Sequence, residues 1–118
     1  MTAIYPLPEN ATAADIITRS IIAHPSLFRE RLISEAEIHD NYALLTTNER
    51  AAQGARASRN ACLNVYNTIG DNDFTDREQA DAICANTGPA VIALNIACKL
   101  QCLPPHIRMQ AALTLEGN

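Results

Sequence analysis

Apolar residues recur every three or four positions along most of this chain, which is the spacing of a helix that buries one side. No segment alternates apolar and polar residues over the length of a strand, and the hairpin signals Asn-Gly and Asp-Gly do not occur. The pattern therefore predicts an all-α fold, arranged as a compact bundle of five to seven helices. Residues 1–118 are expected to form a single helical domain, because a chain of this length can bury one core.

Capping residues and helix stops set the expected helix boundaries. Sequences of the form Ser/Thr-x-x-Glu, in which a hydroxyl and a carboxylate each bind an otherwise free backbone N–H, begin at Ser34, Thr46 and Thr75. Gly70 is a natural helix stop. We expect helices over residues 12–23, 25–32, 35–45, 47–69, 75–86, 89–103 and 107–115. A continuous helix over 35–69 is the alternative to the break at Thr46.

The predicted helix over 89–103 differs from the others because its apolar side chains occupy nearly every angular sector. This pattern is typical of a helix that is buried on most sides. We therefore expect it at the centre of the bundle, with Pro104-Pro105 ending it. Residues 1–9 contain two prolines and are expected to form an extended N-terminal arm.

The helix predicted between Thr46 and Gly70 has an unusual outer surface. Its polar residues, here called the amide face, are Gln53, Arg56, Asn60, Asn64 and Asn67, with Arg59 at the edge. A surface that only needs hydration is normally filled with Glu and Lys, which are good helix formers, whereas Asn is a poor one. Amide and guanidinium groups are well suited to hydrogen bonding with a partner. A plain hydrated surface, or a groove within the bundle, is the alternative interpretation.

The opposite side of the same helix is lined with small or apolar side chains. Its members are Ala51, Ala55, Ser58, Cys62, Val65, Tyr66 and Ile69. Another backbone could approach closely where the side chains are small, and these positions are expected to form either an internal helix contact or a two-fold seam between copies. The small residues are Ala51, Ala52, Gly54, Ala55, Ala57, Ser58 and Ala61. We favour a homodimer.

Composition and charge narrow the classes of partner. Nine basic residues against thirteen acidic ones give a net charge of −4, which disfavours nucleic acid and anionic membranes. Eight of the nine basic residues are Arg, and Lys99 is the single Lys. No apolar run approaches the roughly 20 residues of a membrane span, and no secretory signal is evident at Met1 to Pro8. We expect a cytoplasmic protein.

No motif in the sequence predicts a catalytic residue, a metal site or a cofactor. Cys84, Cys98, Cys102 and His106 could be combined into a zinc site, but their spacing within an apolar helix interrupted by prolines argues against it. The four cysteines are expected to be free, buried thiols.

These observations favour a non-catalytic protein that binds another protein through the amide face and modulates or inhibits it. One alternative is a DNA-binding regulator in which residues 77–100 form a helix-turn-helix. The other is a protein that binds a small anionic ligand or a nucleotide, held by Arg56 and Arg59.

Overall fold

The structure is a computed structural model that describes residues 7–71 and 73–116. This part of the chain folds into six α-helices and contains no strand, which confirms the predicted all-α bundle. The helices are α1 (Ala13–Ala23), α2 (Pro25–Leu45), α3 (Glu49–Ile69), α4 (Asp76–Cys84), α5 (Thr87–Leu100) and α6 (Pro105–Glu116). Of the predicted arm, residues 1–6 lie outside the described part of the chain, and Leu7 packs against the core.

Two helices begin with reciprocal caps between a threonine and an acidic residue. The predicted cap at Thr75 is confirmed: the Thr75 N–H donates to the Glu78 carboxylate at 2.9 Å, and the Glu78 N–H donates to the Thr75 hydroxyl at 3.2 Å. Thr12 and Asp15 form the same arrangement at the start of α1. The sequence pattern missed this second cap because Asp replaces the usual Glu.

The predicted helix start at Ser34 is wrong, because α2 runs without a break from Pro25 to Leu45. Phe28, Leu32 and Ala36 are spaced four positions apart and are all buried, so one apolar row continues past Ser34. The burial of this row outweighs a local capping motif, whose contribution is typically about 1 kcal/mol.

The predicted break between the second and third long helices is confirmed, and the alternative of one helix over 35–69 is wrong. The cap is Asn48, whose side-chain oxygen accepts from the Ala51 N–H at 3.1 Å. The Thr46 hydroxyl instead accepts from the Asn48 N–H at 3.2 Å.

The apolar helix α5 lies at the centre of the bundle, as predicted. It contacts each of the other five helices. It begins at Thr87 rather than Pro89, and proline is tolerated there because the first turn of a helix has free N–H groups. Its buried residues are Ala90, Ala93, Leu94, Ile96, Ala97 and Cys98.

Helices α2 and α3 pair along their length to form a hairpin, joined at residues 46–48. Its base enters the core, where Phe28 and Leu32 are completely buried. No residue of α2 beyond Ala36 is buried. We call residues 37–54 the tip of the hairpin. The molecule measures 48 × 30 × 24 Å and is therefore elongated.

Candidate functional site

The amide face lies on the outer side of α3 and is open to solvent. Gln53, Arg56, Asn60, Asn64 and Asn67 are exposed, and Arg59 at its edge is partly buried. Of the small residues on the opposite side, Ala52 and Ala55 are buried within one chain, whereas Gly54 and Ala57 are exposed. The homodimer stays a prediction.

Both arginines of the amide face already contact carboxylates of the same chain. Arg56 donates to Glu49 at 3.1 Å, and Arg59 donates to Asp40 of α2 at 2.8 Å. Arg59 also donates to the side-chain oxygen of Asn60. Exposed ion pairs of this kind contribute about 0–1 kcal/mol, so a partner's carboxylates could replace them at little cost.

The amides of this face are largely unused by the fold. Within residues 7–71 and 73–116, the side chains of Gln53, Asn64 and Asn67 have no hydrogen-bond partner, and Asn60 bonds only to its neighbour Arg59. The face therefore presents several donors and acceptors to whatever approaches it.

Exposed apolar side chains that sequence reasoning did not include lie on and near this face. Leu63 is 37% exposed, and its spacing from Asn60 and Asn67 places all three on one side of α3. At the tip of the hairpin, the exposed large apolar residues are Ile38, Tyr42, Leu44 and Leu45. The spacing of 38, 42 and 45 was visible in the sequence, but an apolar row normally indicates a buried side.

A cleft of about 610 Å³ lies between α2, α3, α5 and α6. Its charged or polar lining includes Glu35, His39, Asn95, Lys99 and Arg108. Neither arginine of the amide face lines this cleft, so the structure does not place the predicted anion-binding pair in it.

The cysteines considered for zinc are not brought together. Cys98 and Cys102 line the cleft, whereas Cys84 lines a different cavity and His106 lies exposed on α6. In the described part of the chain, no three His, Cys, Asp or Glu residues are placed to hold a metal ion. All four cysteines are free, but the expectation that all are buried is wrong, since Cys84 is partly buried and Cys102 is exposed.

Burial keeps three of these thiols protonated at neutral pH. Desolvation raises the pKa of Cys84 to about 11 and also raises the pKa values of Cys62 and Cys98. A thiol with a raised pKa is a poor nucleophile, because the thiolate is the reactive form. The structure therefore gives these three side chains no activating environment.

The predicted helix-turn-helix gains no support from the position of α5. A recognition helix must expose polar side chains to base edges, but the exposed residues of α5 are Thr87, Gly88, Val91 and Lys99.

Among the helices described, none combines the length and apolar character needed to cross a bilayer.

Comparisons of the chain with protein-family models, with curated proteins and with solved structures find no match.

Proposed function

We propose that this protein is a non-catalytic binding protein that docks on another protein through the amide face of α3 and thereby modulates or inhibits it. The observation that supports this proposal is the run of three exposed asparagines, Asn60, Asn64 and Asn67, two of which have no hydrogen-bond partner within the described chain. Residues of this type on the middle of a helix are useful mainly to something outside the fold.

The energetic cost of these asparagines strengthens the argument. In the middle of a helix, Asn is less favourable than Ala by roughly 0.5 kcal/mol, so three of them cost about 1.5 kcal/mol. The cause is that a short amide side chain competes with the helix for backbone hydrogen bonds. A cost of this size, with one of the three asparagines bonded to its neighbour Arg59, is expected at a surface kept for binding.

A protein partner fits this surface better than a nucleic acid. The net charge is −4, and the carboxylates of Asp40 and Glu49 contact the two arginines of the face. A phosphate backbone would be repelled by this mixture. Arg is enriched at protein interfaces, and the exposed Leu63 lies on the same side of α3 as the face.

The proposal is tested by replacing Asn60, Asn64 and Asn67 together with Ala. Because Ala is the better helix former, the free energy of unfolding should rise by roughly 1.5 kcal/mol, measured by urea denaturation. Capture of the partner from an extract of the native host, read by mass spectrometry, should be lost. A gain in stability together with a loss of binding excludes misfolding as the cause.

Gly54→Ala is the matched control. Gly54 is exposed on α3 but lies outside the amide face, and a Cβ added there meets no atom within 4 Å. This variant should also be more stable than the parent, yet it should retain the partner. If the triple variant captures the partner as well as Gly54→Ala does, the amide face is not the contact surface.

Photo-crosslinking identifies what touches the face. A benzophenone amino acid at Asn64 should form a covalent adduct with the partner, and the same group at Gln110, an exposed amide on α6, should not. An adduct between two copies of this chain would show the predicted homodimer, and light scattering would then give a doubled mass. Equal yields at both positions would contradict the assignment of the surface.

A further inference from the structure

We infer that the cleft between α2, α3, α5 and α6 is a second binding site, for a small amphipathic anion with one anionic group on an aliphatic body. This inference does not depend on the amide face. The cleft has a volume of about 610 Å³, within the range of about 300–1,000 Å³ that is usual for sites of small molecules.

One part of the cleft is apolar. Its wall includes Ile92 and Ile96 of α5 and Leu103 of the turn that follows. These residues belong to the hydrophobic core or pack against it, so their positions are held by the fold rather than by a ligand. An aliphatic body placed against them would remove both surfaces from water, which favours binding.

The other part carries cationic side chains. Lys99 projects from α5 and Arg108 from α6, while Glu35 is the single carboxylate in the lining. An adjoining cavity of about 90 Å³ shares Glu35 and Lys99 and adds Arg31. In a chain whose net charge is −4, three cations around one carboxylate are a local excess of positive charge.

The two cations of the cleft are available to a ligand. Lys99 has no ion-pair partner in residues 7–71 and 73–116, and it is the only lysine in the chain. Arg108 donates one hydrogen bond to the side-chain oxygen of Asn95 at 3.2 Å, which orients its guanidinium and leaves other N–H groups unused.

A ligand with only an anionic group, or with only an aliphatic body, would use one part of the cleft and leave the other part without a contact. An inorganic anion would leave the isoleucine wall in contact with water, and an uncharged hydrocarbon would make no charge-assisted contact with Lys99 and Arg108. A carboxylate on a short aliphatic chain satisfies both halves.

Three probes separate the two contributions: octanoate, which has both the charge and the chain, acetate, which has only the charge, and 1-octanol, which has only the chain. Binding is followed through the methyl NMR signals of Ile92, Ile96 and Leu103. Octanoate should shift these signals and bind at least about tenfold more tightly than either acetate or 1-octanol. Acetate lacks the apolar contact and 1-octanol lacks the charge contact, and a tenfold loss corresponds to about 1.4 kcal/mol.

Lys99→Ala and Arg108→Ala should each weaken octanoate roughly two- to fivefold and leave the weaker binding of 1-octanol unchanged. Both side chains are exposed, so the fold should survive, and a thermal melt checks this. Arg50→Ala removes an exposed positive charge outside the cleft lining and should change nothing.

The inference is overturned if octanoate does not shift the cleft methyl signals, if acetate binds as tightly as octanoate, or if both cation variants bind octanoate like the parent chain. The triple asparagine variant separates this result from the proposed function. It should lose the protein partner and keep octanoate.

Discussion

The base and the tip of the α2–α3 hairpin both carry large apolar side chains, but only the base buries any of them. Phe28 and Leu32 at the base are 0% exposed, whereas Leu44 and Leu45 at the tip are 78% and 82% exposed. All four residues belong to the same helix, so helix formation alone does not decide which of them is buried. What differs is that other helices pack against the base.

Burial therefore divides these side chains into those that stabilise the fold and those that another molecule can reach. Side chains at the base release water and make dispersion contacts, so they stabilise the fold. The apolar side chains at the tip contribute little to the fold and remain available to a partner. A cluster of exposed apolar residues on a protein of this size is a feature expected of an interaction surface.

The largest predicted effect compares two aromatic residues of α2. Phe28→Ala should lower the free energy of unfolding by roughly 3–5 kcal/mol, because it leaves a cavity in the core. Tyr42→Ala at the tip, where the side chain is 52% exposed, should change it by less than about 1 kcal/mol. Urea denaturation of both variants measures the difference, and similar losses would mean that the tip is packed in solution.

A smaller effect should appear when the pH is lowered. Burial raises the pKa of Asp15, but the Thr12 N–H and the Arg77 guanidinium at 2.6 Å outweigh this and leave its pKa below the usual value. A carboxyl whose pKa is lowered by folding stabilises the folded state above its unfolded pKa of about 3.9, and this contribution is lost as the pH falls through the folded pKa.

Asp15→Asn should therefore be less stable than the parent at pH 7, and the gap should close at a pH below about 4. Asp40→Asn is the matched variant at the tip. It breaks the exposed Asp40 to Arg59 pair and should change stability by less than about 1 kcal/mol at pH 7. If Asp15→Asn and Asp40→Asn lowered the free energy of unfolding equally at pH 7, the Asp15 carboxylate would not be more important to the fold than the exposed pair at the tip.

The smallest effect compares the two glycines of the hairpin. Gly54→Ala at the tip should raise the free energy of unfolding by about 0.5–1 kcal/mol, because the added Cβ meets nothing and Ala is the better helix former. At the base, a Cβ on Gly70 would lie 3.3 Å from the Arg29 guanidinium, which stacks on Tyr66. Gly70→Ala should therefore raise the stability little. A thermal melt in which Gly70→Ala melts at a higher temperature than Gly54→Ala would contradict this prediction.

The features predicted correctly from the sequence are those that depend on neighbouring positions. Five of the six amide-face residues are exposed as expected, because their spacing on one helix places them on one side whatever surrounds that helix. The cap at Thr75 also depends only on nearby positions, because it joins Thr75 to Glu78 three residues later. The false start at Ser34 shows the limit, since a capping motif has no effect where a buried row of residues carries the helix through it.

The cleft could not be predicted, because Glu35, Lys99 and Arg108 are distant in sequence and only the packing of α2, α5 and α6 brings them to one place. The exposure of Ile38 and Tyr42 is of the same kind, since an apolar row on a helix does not reveal whether another helix will cover it.

The sequence by itself determined that the fold is all-α, the central place of its most apolar helix and the polar side of α3. Their physical cause is the periodicity of the α-helix, which converts spacing along the chain into position on a surface. Only the tertiary structure decided which apolar rows are covered and which charged residues share a cleft. These depend on contacts between segments far apart in the chain, and no local spacing encodes them.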